Sequence, residues 1–427
     1  MMRSQLKKQI WLLSNWLSSI QLYKQIPVFF VAGSIFLISY TTIAIAGGLY
    51  LNEFGTSTMG TAGAGAQAYA NDASTAFHNP AGMTRIDGRQ LSAGAGLIVG
   101  KVKFDPDSDT PIDGGNGGDA VGAAPIVGTY YVHSVSDRFK LGMSAGTITG
   151  AALDYDNDWA GRYLTQKVSL LTASLVPAVA FRINDKLSVG GNVNFIYGKL
   201  DIDLASANPE PGQPDGKVKV EDADDWDVGF NLSALFELSE DTRLGVIYFS
   251  GINPKFEGDI KTNPVGLNAS VDLEFEFPPM VRSSIYHRLN KKFALLGSIG
   301  WEKWSDFDEI PVSAGKNVEG AIPTNWDDTW HFSGGIHYMP NEKWIFMTGV
   351  AYDTSPVDKE DRTPDLPIDR QVRLALGAQY HWQENIDLGA AVVYADMGDA
   401  AIKNDKLVGE YSDNDLLMFA FNFSWKL

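Results

Sequence analysis

RQVRLALGAQYHW, Arg370 to Trp382, alternates along its whole length. Val372, Leu374, Leu376, Ala378, Tyr380 and Trp382 fall on one side of an extended chain, and Gln371, Arg373, Gly377, Gln379 and His381 fall on the other. A period of two is the signature of a strand with two unlike faces. The same alternation runs through DKLSVGGNVNFIYGKL, where Leu187, Val189, Val193, Phe195 and Tyr197 oppose Ser188, Gly190, Asn192 and Asn194. It returns in LLMFAFNFSWKL, with Leu417, Phe419, Phe421, Phe423, Trp425 and Leu427 opposite Asn422, Ser424 and Lys426.

Alternation alone also fits a soluble sandwich. Length separates the two, because a tilted strand needs about ten residues to cross hydrocarbon, whereas sandwich strands average about five or six. These segments are of the longer kind. Aromatic residues gather near segment ends (Tyr130–Tyr131, Trp301–Trp304, Tyr380–Trp382), as in interfacial girdles. About fourteen such segments follow Gly88, near 89–104, 125–135, 138–149, 163–182, 185–202, 217–237, 241–257, 271–289, 291–307, 325–339, 342–354, 369–382, 385–397 and 415–427. Short turns such as Asn184-Asp185, Ser239-Glu240 and Asn290-Lys291 alternate with long acidic loops such as DPDSDTPIDGGNGGDA and ANPEPGQPDGKVKVEDADD. The reading is an all-β chain: a transmembrane antiparallel β-barrel spanning 88–427, long loops outside.

The rest of the composition is consistent with export. The 427 residues contain no cysteine, which removes disulfides, thiolate nucleophiles and thiolate metal sites. Arg3, Lys7, Lys8 and Lys24 precede the apolar run Pro27 to Ala46, which closes on Ala44-Ile45-Ala46. That pattern predicts a signal peptide over 1–46, cleaved before Gly47, with an uncleaved anchor as the alternative. Its removal strips four cations and no acid, taking the net charge from −18 to −22, so nucleic acid is not an expected partner.

Residues 47–87 lie upstream of every barrel segment and are small and polar. FHNPAGMTRI (Phe77 to Ile86) is a turn in which Pro80 fixes φ and pushes Asn79 away from helix. A lumen fourteen strands wide is not filled by side chains alone. The expected place for 47–87 is therefore inside it, as a hatch, since irregular backbone at membrane depth is tolerated where protein or water covers it.

Here the sequence resembles the long-chain fatty acid transport (FadL-type) outer-membrane family, including its hydrocarbon-transporting members. The carrying motifs are LNEF (Leu51 to Phe54), the small-residue run after it, Asp72-Ala73 and Asn79-Pro80-Ala81. DNDWAGRY (156–163), PAVAFRIND, LSVGGNVNFIYG, WEKWSDF (Trp301 to Phe307), AYDTSPV and DLPIDRQVRLALGAQY follow in family order. The resemblance implies a monomeric channel, not an enzyme and without cofactor or metal. Such a channel binds a hydrophobic ligand in the barrel and releases it laterally into outer-membrane lipid beside lipopolysaccharide. It places the gate at a kink in the third strand, FKLGMSAGTITGAALDY, near Gly146, Thr147 and Gly150, beside Asn79, Pro80 and Ala81. Leu49 and Phe54 become ligand-pocket candidates from the hatch. Leu204 and Pro311 stand at positions where fatty-acid transporters carry basic residues, so Arg162, Lys199 or Lys303 are the candidate cations for a head group, and uncharged hydrocarbons stay open as substrates.

Other signals carry less. DYDNDW departs from a calcium loop at Trp159 and Thr165. His331 and His337 share a strand face but stand about 20 Å apart by strand rise, too far to bind one metal. GTAGAGAQ lacks the strand–helix setting of a dinucleotide fingerprint. A polar porin, a barrel enzyme and a soluble exported adhesin remain as alternatives.

Overall fold

The computed structural model describes residues 56–147, 150–208, 212–264, 266, 268–315 and 318–427. Within them fourteen staves form one antiparallel barrel. They are β1 (Arg89–Pro106), β2 (Ala123–Ser134), β3 (Phe139–Gly146, resuming as Gly150–Asp154), β4 (Lys167–Asn184) and β5 (Leu187–Ser206). Next come β6 (Gly216–Glu237), β7 (Thr242–Phe249 and Lys255–Asn263), β8 (Asn268–Glu274 and Met280–Arg288) and β9 (Phe293–Glu302 and Glu309–Ala314). The last five are β10 (Val318–Pro323 and Thr329–Asn341), β11 (Trp344–Asp353), β12 (Gln371–Gln383), β13 (Ile386–Asp396) and β14 (Val408–Lys426). Each pairs with its neighbour in sequence, and β1 closes on β14 from Gln90↔Lys426 to Pro106↔Gly409. Closure removes the free edges that an open sheet would expose to lipid.

The two faces sort as the alternation predicts. On β12, Gln371, Arg373, Ala375 and Gln379 are buried inside, while Leu374 and Leu376 face out, Leu376 with 61% of its surface exposed. On β14, Phe421 is 70% exposed and its neighbour Ala420 is buried. A soluble protein does not display a continuous apolar band around its whole girth, so this surface belongs in hydrocarbon and the soluble adhesin falls away. Near the short-turn end an outward aromatic chain crosses four staves. Phe293 lies 5.0 Å from Tyr338, Tyr338 6.5 Å from Phe346, Phe346 5.6 Å from Trp344, and Trp344 4.6 Å from Tyr380.

Two expected girdle residues point the other way. Tyr130 occupies an inward position of β2 and is buried. Trp304 is fully buried, because the 3-10 turn Trp304–Asp306 breaks the alternation after β9's first segment and turns the indole inward. There it meets Phe307 and Trp326 and donates to Glu302 Oε2 at 2.8 Å.

Residues 56–86 form short turns rather than strands: 3-10 turns at Ser57–Thr61 and Pro80–Arg85, and single helical turns α1 (Ala66–Tyr69) and α2 (Thr75–His78). The first turn touches β11, β12 and β13. By contrast α1 touches β7 and β8, α2 touches β2, β3 and β4, and the last turn touches β3 to β6. Only the interior of a closed barrel brings one segment against staves on opposite sides. Small wall residues permit the approach. A Cβ on Gly245 of β7 would stand 1.9 Å from Gln67 O, and one on Gly349 of β11 would stand 2.1 Å from Thr61 O. Wall side chains then satisfy the segment's exposed backbone. Arg243 donates from Nε to Ala68 O at 3.0 Å and from NH2 to Tyr69 O at 3.1 Å, and Gly65 N donates to Ser298 Oγ at 2.9 Å.

Candidate functional site

Among the described residues, the ladder between β2 and β3 covers only part of their length. Pairing runs from Ser134↔Lys140 up to Gly128↔Gly146 and stops. Ala123 to Val127 pair only with β1 among the described residues. On the other side, β3 resumes at Gly150 paired with β4. From Gly146↔Ser174 to Gly150↔Leu171, β3 advances four positions in sequence against three of β4, so the register of the described pairs shifts by one. Pro125, in the stretch of β2 beyond Gly128, has no amide hydrogen to give. Ser174 Oγ donates to Gly146 O at 2.8 Å at the lower edge, and Asp154 N donates to Ala120 O at 2.9 Å at the upper one.

A cavity of about 850 Å3, its open mouth included, lies over the inner segment. Its floor carries Gln67, Phe77 and His78, and its walls carry Asn194, Ile196, Asn231, Phe249, Ile252, Met280, Arg282, Ser298 and His331. Register ties it to that ladder. Ile196 pairs with Ser174, and Ser174 with Gly146, so one rung joins the cavity wall to the last described β2–β3 pair, about 10 Å apart across two strand spacings. Ile126, Leu170, Ile196 and Leu200 belong to the same contiguous apolar cluster.

The far wall is polar. Arg282, Gly300, His331 and Asp353 form one inward rung across β8 to β11. Arg282 NH2 lies 2.6 Å from Glu302 Oε1, Asp353 Oδ1 lies 2.8 Å from His331 Nδ1, and Arg373 pairs with Asp353. The two guanidinium groups therefore each face a carboxylate of opposite sign. On the floor, burial and then the Arg282 charge hold the His78 imidazole down at about 4, so it is neutral at pH 7.

The sequence-derived candidates are placed as follows. Asn79 donates from Nδ2 to Gln67 O at 2.6 Å and to Ala234 O at 3.1 Å, and Ala81 N donates to Ser233 Oγ at 3.0 Å. With Gly190 of β5 lying under Pro80 and Ala81, this turn packs on β5 and β6; the inner-segment residues over β3 are Ala76 and Met83, at Gly142. Gly146, Thr147 and Gly150 flank the register shift between the two segments of β3. Arg162 is in the loop after β3, bound to Asp215 Oδ2 at 2.8 Å and Asp113 O at 2.9 Å. Lys303 pairs with Asp306 at 2.7 Å and Lys199 with Asp222 at 3.5 Å. None of the three lines the cavity. Leu49, Phe54 and the whole of 1–46 lie outside the described residues. Arg282, His331, Asn194 and Asn231 were not among the candidates, although each sits at an inward position of an alternating strand.

The family profile described as outer membrane protein transport protein (OMPP1/FadL/TodX) matches residues 37–423. A long-chain fatty acid transport protein of Escherichia coli O6:H1 is 28% identical over 396 residues, covering 83% of this chain and 88% of its own length. Outer membrane protein P1 of Haemophilus influenzae is 24% identical over 413 residues, covering 86% and 90%. Among solved structures, a Pseudomonas aeruginosa FadL homologue superposes with a TM-score of 0.78 at 23% identity, over 89% of this chain and all of that one (100%). The Pseudomonas putida toluene transporter TodX gives 0.68 at 15% identity, over 91% and 99%. Both structures share the fold.

Proposed function

The chain belongs to this family of outer-membrane transport proteins, and from that premise we propose that it takes up hydrophobic compounds passively. Its ligands are long-chain fatty acids or hydrocarbons, bound in the cavity and released sideways into lipid between β2 and β3. One observation carries the reading: residues 56–86 pack inside the barrel under the cavity, while one rung away β2 and β3 share no ladder pair beyond Gly128↔Gly146 among the described residues. The inner segment stands in the way of straight passage, and the described residues put no β2–β3 ladder pair across the lateral path. Burial at roughly 25 cal/mol per Å2 of apolar surface draws such a solute from water, and membrane lipid receives it at no cost in hydration. An open polar porin needs a clear lumen, which the filled interior disfavours.

The same reading takes residues 1–46 as a leader removed on export and 47–87 as the hatch. Leu49 is then the apolar group that occupies the cavity until ligand displaces it. The barrel works as a monomer in contact with lipid and lipopolysaccharide, and carries no catalytic step.

Deleting Thr147 tests the mechanism, because it restores one-for-one register between β3 and β4. Cells lacking their own transporter and expressing the deletion are expected to lose uptake of fatty acid and toluene by about tenfold or more, while the purified barrel still binds ligand. Undiminished uptake would sink lateral release. A wild-type barrel with no uptake and large ionic conductance would be a porin.

A further inference from the structure

Asn194 and Asn231 sit diagonally on β5 and β6, both facing the cavity and both more than nine-tenths buried. Asn194 Nδ2 donates to Asn231 Oδ1 at 3.2 Å. That bond uses one end of each amide. Asn194 Oδ1 and Asn231 Nδ2 have no partner among the described residues. The pair therefore leaves one buried acceptor and one buried donor unmatched in the cavity wall. Turning both amides over leaves the same offer, with the two residues exchanging roles. Buried polar groups are rarely left unmatched, and a cavity that presents a matched set of them selects the chemistry that completes it.

We propose that this amide pair is a head-group subsite for an uncharged, hydroxyl-bearing hydrophobic molecule, an alcohol or phenol. Its O–H donates to Asn194 Oδ1 while its oxygen accepts from Asn231 Nδ2. A carboxylate has no donor for Asn194 Oδ1, and the cavity's guanidinium, Arg282, already faces the buried Glu302 carboxylate at 2.6 Å. A plain hydrocarbon leaves both amide ends unmatched. Ile196 and Phe249 flank the pair, Phe249 directly opposite Asn231 in register, so an apolar tail has a wall to lie on. The Ile196 rung then leads that tail toward Gly146. The inference rests on the transport reading and narrows its hydrophobic ligand to a hydroxyl-bearing one, in place of a fatty acid or a plain hydrocarbon.

Three ligands with one skeleton separate the possibilities: 4-hexylphenol, hexylbenzene and 4-hexylbenzoate. Equilibrium dialysis at pH 7.5 against the full barrel in amphipol, with protein-free amphipol as the blank, reads the affinities. The phenol is expected to bind about tenfold or more tighter than either of the others. In Asn194→Leu/Asn231→Leu that preference should shrink to about twofold or less, with hexylbenzene still bound. The near-isosteric Asn231→Asp, which puts an acceptor where the donor was, should weaken the phenol alone. Equal binding of phenol and hexylbenzene to the wild type overturns the subsite and leaves the transport reading standing, as does a preference for the benzoate. Binding of none of the three overturns both.

Discussion

Gly128 and Gly146 are the last partners in the β2–β3 ladder, and they are in close contact: a Cβ on Gly146 would stand 2.7 Å from Val127 O and 3.3 Å from Gly128 Cα. The two backbones meet at the last described pair of the ladder, a point with no room for a side chain. Gly146→Val must push β2 away. It is expected to lower barrel stability by about 1–3 kcal/mol through overpacking, read as an earlier transition in heat-dependent gel mobility. Gly334→Val on β10 serves as the comparison, since nothing lies within 4 Å of a Cβ there. Equal effects at both positions would show that the ladder's end is not a special contact.

The inner segment is held by approach as well as by hydrogen bonds. Gly245→Val would bring a side chain onto Gln67 O, 1.9 Å from its Cβ, and nothing on the rigid strand can yield. The segment must move instead. Planar-bilayer recordings are expected to show single-channel conductance rising severalfold over the wild type. An unchanged conductance would mean that residues 56–86 do not seal the lumen.

Arg243 caps two carbonyls of α1, at Ala68 and Tyr69, and lies 4.2 Å over the Tyr286 ring. Arg243→Ala leaves both carbonyls buried without a donor, at about 1–3 kcal/mol each. Lysine cannot replace the planar fork, so Arg243→Lys should recover only part of the loss. Limited proteolysis between Thr56 and Ile86 gives the readout, with cleavage fastest in the alanine variant. Full rescue by lysine would reduce the interaction to simple charge.

The barrel was legible because lipid forces alternation on every stave. Residues 370–382 alone place Arg373 inside and Leu374 outside, and the structure has them so. Trp304 escaped because a 3-10 turn broke the period, which a two-residue rhythm cannot foresee. The cavity was illegible for a different reason. Asn194, Asn231, Arg282 and His331 come from four staves and meet only through cross-strand register. On one strand, each looks like any other polar residue facing a lumen. The Asn79-Pro80-Ala81 turn was visible as a motif, but its seat on β5 and β6 follows from the chain path between Asp72 and Arg89.

His78 gives the assembly an acid sensitivity whose sign is set by burial. Its pKa is about 4 in the folded protein, held down by desolvation and then by Arg282, against about 6.5 in an unfolded chain. Between those values the unfolded state holds a proton that the folded state does not, so stability falls as the pH drops from 6.5 toward 4 and is flat beyond either limit. From pH 7 to pH 4.5 the single residue accounts for about 2–3 kcal/mol. Carboxylates elsewhere titrate over part of the same range, so the wild type must be compared with His78→Asn. Urea unfolding of both proteins at several pH values is expected to give a shallower acid loss for the variant, with the two curves separating mainly between pH 6.5 and 4. Parallel curves would mean that His78 takes up its proton in the folded barrel as readily as in water, and that the cavity floor is wet.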